Sequence, residues 1–383
     1  MIKRGVATFT LDTGTCPKWL YDRMVRLGRE MVYCIVDEYG PDEFVKRIAD
    51  PVWFQSLGTV LALDWNASGL TTILTAALKG AIRGNERRLG LFICGGKGKT
   101  SRKTPDEIEN WGQILSLPEP KVNNLVYNSR MAAKVDSALI QDGFQIYHHS
   151  FFFSKNGAWS VVQQGMNTER GSARRYHWHS DKVTDLVCEP HAGIASQEQV
   201  PTLDLTAQES GTTRDISTEL AGGNYQSLMK DIQIIRKHTS DLSQMVTAQK
   251  GDDEVTLLNL ENREFFWHPL MLEDFSKSKY LEKVLYKVCE TKPESYEKLL
   301  SLEGVGPKTM RALSLVSEVI YGAKPSYEDP ARYSFAHGGK DATPYPVDTA
   351  TYDQSIEFFS RVVRKMRLPA SERQVILKRL TAQ

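Results

Sequence analysis

The chain runs to 383 residues, 41% hydrophobic and 25% charged, with 48 basic side chains against 47 acidic ones. Length and apolar content suffice for two or three domains with cores of their own, while the near-zero net charge excludes a global field for a polyanion and leaves any nucleic-acid surface to a local basic patch. Five scattered cysteines (Cys16, Cys34, Cys94, Cys188 and Cys289) form no C-x-x-C pair, which argues against a disulfide framework or a four-cysteine zinc module and for a reducing compartment.

The opening, MIKRGVATFTLDTG, lacks the apolar stretch of a signal peptide, and no run approaches the ~18 apolar residues of a membrane span. The expectation is a cytoplasmic protein with no membrane partner. Within the opening, GVATFTLDTG alternates as a short strand. CPKWLYDRMVRLGREMVYCIVDEYG places Trp19, Leu20, Met24, Leu27, Met31 and Ile35 at helical spacing behind Pro17, and SGLTTILTAALKGAIRG reads as a second helix capped by Ser68. LGLFICGGKGKTSRKTPDEIENW reads as strand, glycine-rich loop and helix. The loop is not a P-loop, because counting back from Gly98-Lys99-Thr100 the first required glycine falls on Ile93. LVYNSRMAAKVDSALIQDG is a helix ending at Gly143. It leads into a hairpin, FQIYHHSFFFSKNGAWSVVQQGM, that turns at Asn156-Gly157.

Residues 195–217 are polar and aperiodic, and the domain boundary is expected there, with the linker at 201–217. Beyond it, STELAGGNYQSLMKDIQIIRKHT, LEDFSKSKYLEKVLYKV and TYDQSIEFFSRVVRKM read as helices. The expected fold class is α+β. A mixed α/β domain with a β-hairpin spans 1–200, and an α-helical domain spans 218–383.

In the helical domain, LLSLEGVGPKTMRALSLV (299–316) reads as two helices about a Gly-Val-Gly turn, the pattern of a helix-hairpin-helix. Gly304 and Gly306 permit a tight turn, Val305 tucks between the helices, and Pro307 suits the first helical position. Free amides at that helix start, with Lys308 and the Thr309 hydroxyl, are suited to a DNA phosphate. Such contacts read the backbone, so binding without sequence preference is expected. The later loop YEDPARYSFAHGGKDATPYP, with Arg332, His337 and Lys340, would extend the phosphate track.

The turn resembles those of DNA-repair proteins: glycosylases, nucleases, ligases and junction-binding subunits. Its G-V-G-P-K-T resembles base-excision glycosylases, where the lysine that follows the hairpin can form an imine; that would implicate Lys308 in a glycosylase or lyase. The aspartate such enzymes carry about eighteen residues later is Ser326 here, and their four-cysteine cluster loop is absent. Over nearly its full length the chain resembles the family of unknown function numbered 763, known mainly from archaea and thermophilic bacteria. LDTGTCPKWL, LDWNASGLTT, CGGKGKTSRKTP, SRMAAKVDSALIQDGFQIYHH, WSVVQQGMN and ARRYHW carry that resemblance.

Chemistry in the first domain is expected around Asp136 and Asp142 at a helix end, His148 and His149 on the next strand, and Gln163 and Gln164 on its hairpin partner. A turn centred on residues 156 and 157 sets His149 opposite Gln164. With Asp142 they would make a mixed N/O site for Mn²⁺ or Mg²⁺ and hydrolyse a DNA backbone. Lys97, Lys99, Arg102 and Lys103, with Arg174 and Arg175, would supply phosphate contacts. YHWHSDKVTDLVCEPH adds zinc-type ligands (His177, His179, Cys188 and His191) at a spacing unlike standard modules. Asp64 and Asn66 in LDWNASG suit an active-site loop or a capping turn. The expected protein is therefore a DNA-repair nuclease. The alternatives are a Lys308 glycosylase or a non-catalytic DNA-structure-binding module, and each is compatible with a homodimer.

Overall fold

Runs such as LFIC in GLFIC and FFF in YHHSFFF are apolar on successive residues rather than on alternate ones, which suits strands covered on both faces. In the computed structural model, which describes residues 9–11, 16–61, 67–238, 248–250, 253–255, 278–331 and 349–381, they are the edge strand and its neighbour in such a sheet. Strands β1 (Leu91–Lys97), β3 (Gln145–Ser154), β4 (Trp159–Asn167), β5 (Ser172–His179) and β6 (His191–Ser196) are hydrogen-bonded in the order β1-β3-β4-β5-β6, every pair antiparallel. β2 (Ile140–Gln141) and β7 (Leu203–Asp204) form a separate short pair. The fold is mixed α/β with a helical region toward the C-terminus, as expected. No described helix is long and apolar enough to cross a membrane.

One face of the sheet packs on α1 (Lys18–Tyr39), α2 (Pro41–Ile48), α3 (Pro51–Val60) and α4 (Ala67–Ile82). Ile93, Phe152 and Val162 meet Phe44, Phe54, Leu74 and Leu78 there. α2 and α3 begin at prolines, whose missing N–H costs nothing in a first turn, and Asp50 caps α3 by accepting the Val52 and Trp53 amides at 2.8 and 3.0 Å. α5 (Glu86–Leu89) is a single turn that leads into β1. The opposite face carries Phe92, Phe151, Phe153 and Trp159. It is covered by α6 (Thr104–Ile114), whose Trp111 ring lies 5.0 Å from Phe92, and by α7 (Glu119–Ala138).

The chain divides into two compact units, with a break at 199/200 beside the expected end of the first domain but with residues 330–383 in the first unit rather than the second. The first comprises 1–136, 143–199 and 330–383, and the second 137–142 and 200–329. The stretch read as a linker is ordered structure. The Asp204 carboxylate accepts from the Thr206 and Ala207 amides, and Arg214 donates to the Leu205 and Ala207 carbonyls. Its polar residues bond to their own backbone, a local pattern that aperiodic polarity conceals. The second unit holds α8 (Gly211–Gly222), α9 (Tyr225–His238), α10 (Lys279–Thr291), α11 (Tyr296–Ser301), α12 (Pro307–Val319) and a short hairpin, β8 (Ala248–Lys250) with β9 (Asp253–Val255). The last helices, α13 (Thr349–Lys365) and α14 (Ala370–Thr381), belong to the first unit, where Phe359 stacks 5.1 Å from Trp53. Of the opening strand, Thr10 bridges to Ser172. Asp64, Asn66, Arg332, His337 and Lys340 lie outside the described residues.

The first glycine of the glycine-rich loop owes its place to packing. Gly95 has φ +84°, and a Cβ there would stand 2.3 Å from the His149 carbonyl oxygen. Its amide donates to Glu107 Oε2 at 2.8 Å, and Lys79 joins its carbonyl to the same carboxylate at 3.0 and 2.7 Å. Gly95→Ala should cost at least about 2 kcal/mol from backbone strain and displacement of β3. A denaturation midpoint equal to that of the wild type would refute this account.

Candidate functional site

On α7 the residues Ser129, Ala132 and Asp136 recur at i, i+3 and i+7, so they share the stripe facing the sheet. Asp136 is fully buried there. Its carboxylate accepts from Gln163 Nε2, from Trp178 Nε1 at 3.2 and 3.1 Å, and from His191 Nε2 at 2.6 Å. Three donors thus make four contacts to this one carboxylate, which occupy its acceptor oxygens. Gln163 turns its amide nitrogen to Asp136, so its oxygen faces His149 Nδ1 at 2.9 Å. That oxygen can only accept, which places the His149 proton on Nδ1 and leaves Nε2 to accept from the Ser129 hydroxyl at 2.9 Å. Burial pushes the His149 pKa down, with the Gln163 hydrogen bond and the Asp136 charge opposing.

The other face holds His148, Gln164 and Arg175. His148 pairs across the ladder with Gln164, and His149 with Gln163. This is one residue off the expected register. The chain closes the hairpin with Ser154 N bonded to Ala158 O at 2.9 Å, so three residues, Lys155 to Gly157, make the turn rather than two. Gly157 takes φ +111°, the left-handed residue that follows a type I turn in three-residue hairpins. A one-residue slip exchanges faces. His149 and Gln164 therefore point to opposite faces, and the pair on which the expected Asp142, His149 and Gln164 metal triad depends is not formed.

His148 Nε2 contacts the Thr75 and Ser150 hydroxyls, both at 3.1 Å, and Gln164 Nε2 donates to the Ser68 carbonyl at 3.0 Å and to the Tyr147 hydroxyl. His148 Nδ1 and Gln164 Oε1 are buried without a partner among the described residues. Burial, with His149 and Lys97 adding repulsion, holds the His148 pKa down at about 3.

Arg174 and Arg175 are fully buried, which corrects their reading as phosphate contacts. Arg175 bonds to Gln55, Thr71, the Pro51 carbonyl and His177, and lies over the Phe54 ring at 4.6 Å. Burial draws its pKa down to about 9. The zinc-type set is also dispersed. His191 pairs with Trp178 in the ladder, which puts it on the face opposite His177 and His179. Among the described residues no group of three or more His, Cys, Asp or Glu is placed to hold a metal. Lys97, Lys99, Arg102 and Lys103 are exposed as expected, on β1 and the 3₁₀ turn after it. The Lys97 ammonium lies 5.9 Å from the centre of the Tyr147 ring.

In the second unit, α11 and α12 are joined by residues 302–306, and Val305 is buried as expected. Gly304 has φ +89°, with Val284 3.1 Å from where a Cβ would stand, so the turn itself requires glycine. Gly306 does not. Its backbone is extended (φ −154°, ψ −167°), and a Cβ there would meet nothing within 4 Å. The Gly306 and Lys308 amides have no acceptor among the described residues. Thr309 departs from its expected role, because it is buried and its amide closes on the Gly306 carbonyl at 3.0 Å. Gln141 Nε2 braces the start of α12 through the Pro307 carbonyl at 3.0 Å.

The structure joins Asp136 to Gln163 and, through Gln163, to His149, where the sequence sets His149 opposite Gln164; it adds Trp178, which the sequence did not single out, and His191, which it named only as a zinc-type ligand. Within ARRYHW the strand is dense in charged and ring residues, so alternation is hidden. The only early signal was the inward spacing of Asp136 on its helix.

Fold and site together define a mixed α/β protein whose antiparallel sheet carries buried polar networks on both faces. The chain belongs to the family described as "Protein of unknown function (DUF763)", whose model matches residues 5–347. No curated protein and no solved structure matches it.

Proposed function

We propose that the protein binds the DNA backbone without sequence preference, through the turn between α11 and α12 acting as a helix-hairpin-helix. The observation that carries this reading is Gly306. The fold makes no use of its missing Cβ, yet the open space exposes two unpaired amides beside the exposed Lys308 at the positive end of a helix. The basic loop with Lys97, Lys99 and Arg102 supplies further charge for a polyanion.

The test separates binding from folding. Gly306→Ala should keep the melting temperature and weaken duplex binding, read by fluorescence anisotropy, by about tenfold. Lys308→Ala should lower the salt slope by about one. Gly304→Ala should instead cost about 1–3 kcal/mol of stability through its positive φ. If Gly306→Ala binds DNA as the wild type does, the turn is an ordinary helical connection and the reading fails.

Divalent-metal-dependent cleavage, with Mn²⁺ or Mg²⁺, is the second reading. His148 Nδ1 and Gln164 Oε1 favour it, as a nitrogen and an oxygen on directly paired residues with their hydrogen-bonding capacity unspent. Flap, bubble and duplex substrates incubated with Mn²⁺ or EDTA test it. Cleavage that needs metal and is lost in His148→Ala supports it, and intact substrate throughout removes it. A borohydride trap on abasic DNA reports on Lys308 as an imine former.

A further inference from the structure

Beside Pro51, at the margin of the Arg175 network, the first unit has a cleft of about 590 Å³ where the α2–α3 junction faces the end of β5 and the start of β6. His179, 4% exposed, lines it. His179 Nδ1 accepts the Asp181 amide at 3.2 Å, so the neutral ring carries its proton on Nε2. That N–H is buried and has no partner among the described residues. An orphaned buried donor costs about 1–3 kcal/mol, and a ligand oxygen in the cleft would relieve it.

The charges on the rim define that ligand. Arg47 is committed, since its Nε lies 2.7 Å from Glu43 and its guanidinium sits over the Phe358 ring at 3.7 Å. Lys46 and Lys182 are exposed, line the same cleft, and both act electrostatically on His179. Neither has an ion-pair partner among the described residues. Two free ammonium groups and one N–H donor suit a dianion with several acceptor oxygens. Carboxylates also line the cleft. Asp50 spends Oδ1 on capping α3, and Asp181 is exposed. Such acceptors suit hydroxyl groups, and the volume lies in the range of small-molecule sites rather than of a lone ion.

We propose that this cleft binds a phosphomonoester attached to a hydroxyl-bearing sugar, with Lys46, Lys182 and His179 Nε2 on the phosphate and the carboxylates on the sugar. The chemistry could come from a free nucleotide or from the 5′-phosphate at a strand end. The site lies wholly in the first unit and does not depend on the DNA-backbone reading.

Calorimetry on the full chain, with deoxyadenosine 5′-monophosphate and deoxyadenosine as probes, tests it. The monophosphate should bind and the nucleoside should not. The Lys46→Ala/Lys182→Ala double variant should weaken binding by about tenfold or more, and His179→Phe, which removes the donor, should weaken it with the lysines intact. Gly306→Ala should leave it unchanged. A 5′-phosphorylated oligonucleotide, compared with its unphosphorylated twin in the Gly306→Ala background, separates the two sources. A phosphate-dependent gain there, lost in the lysine variant, assigns the cleft to strand ends even when the free monophosphate is silent. Equal response to nucleoside and monophosphate, unchanged binding in the lysine variant, or silence from every phosphorylated probe overturns the proposal.

Discussion

Asp136→Ala should destabilise the protein by about 3–5 kcal/mol, the size seen when one partner is removed from a buried charged network. Its carboxylate is the shared acceptor for Gln163, Trp178 and His191, so its loss strands three buried or nearly buried donors at once. The loss also propagates. Gln163 is oriented by Asp136, and His149 takes its tautomer from Gln163. His191→Ala removes one donor and leaves the carboxylate with its other contacts, so it should cost less. Urea denaturation of the two single variants and the double variant should show non-additivity, because they share one partner. A loss below about 1 kcal/mol for Asp136→Ala would mean that water replaces the network freely.

Stability should fall steeply as the pH drops below about 6.5, the ordinary histidine value. His148, His149, His177 and His179 are all buried, and burial is the largest cause lowering each pKa, to about 3 for His148 and well below the ordinary value for His177. In the unfolded chain they take up protons near pH 6.5, whereas in the fold they stay neutral. The unfolded state therefore binds more protons throughout this window, and stability rises with pH across it. Each histidine contributes up to about 1.4 kcal/mol per pH unit between its unfolded and folded pKa. Above pH 6.5 the contribution vanishes. Equilibrium unfolding at pH 7.5, 6.5 and 5.5 measures the slope. A flat profile would show that the rings protonate in place, and His177→Gln should reduce the slope by one proton.

The same residues show what was legible in the chain. The 3.6-residue spacing of Met24, Leu27, Met31 and Ile35 reported α1 because that helix buries a single stripe. The apolar runs in β1 and β3 reported strands because both of their faces are covered. β5 was harder, because in SARRYHWH the core positions are filled by Arg174, Arg175 and His177, which alternation scores as surface. Arg175 is tolerated there only because Gln55, Thr71 and Pro51, over a hundred positions away, come to meet it.

Asn156-Gly157 located the hairpin but not its register. A two-residue and a three-residue turn share those letters, and the single residue between them decides whether His149 or His148 meets Gln164. The Gly-Val-Gly turn was visible from sequence. That Gly304 is needed by the fold and Gly306 is left open over unpaired amides became clear only once Val284 was seen beside one and nothing beside the other.

What the sequence determined by itself is what short-range physics controls: helix stripes, prolines at helix starts, glycine at turns, and membership of its family. What only the tertiary structure decided is which polar groups meet: His191 on Asp136, His149 apart from Gln164, and His179, its N–H unspent, in one cleft with Lys46 and Lys182. Those pairings are set by strand register and by contacts between distant segments, and side-chain identity carries no record of either.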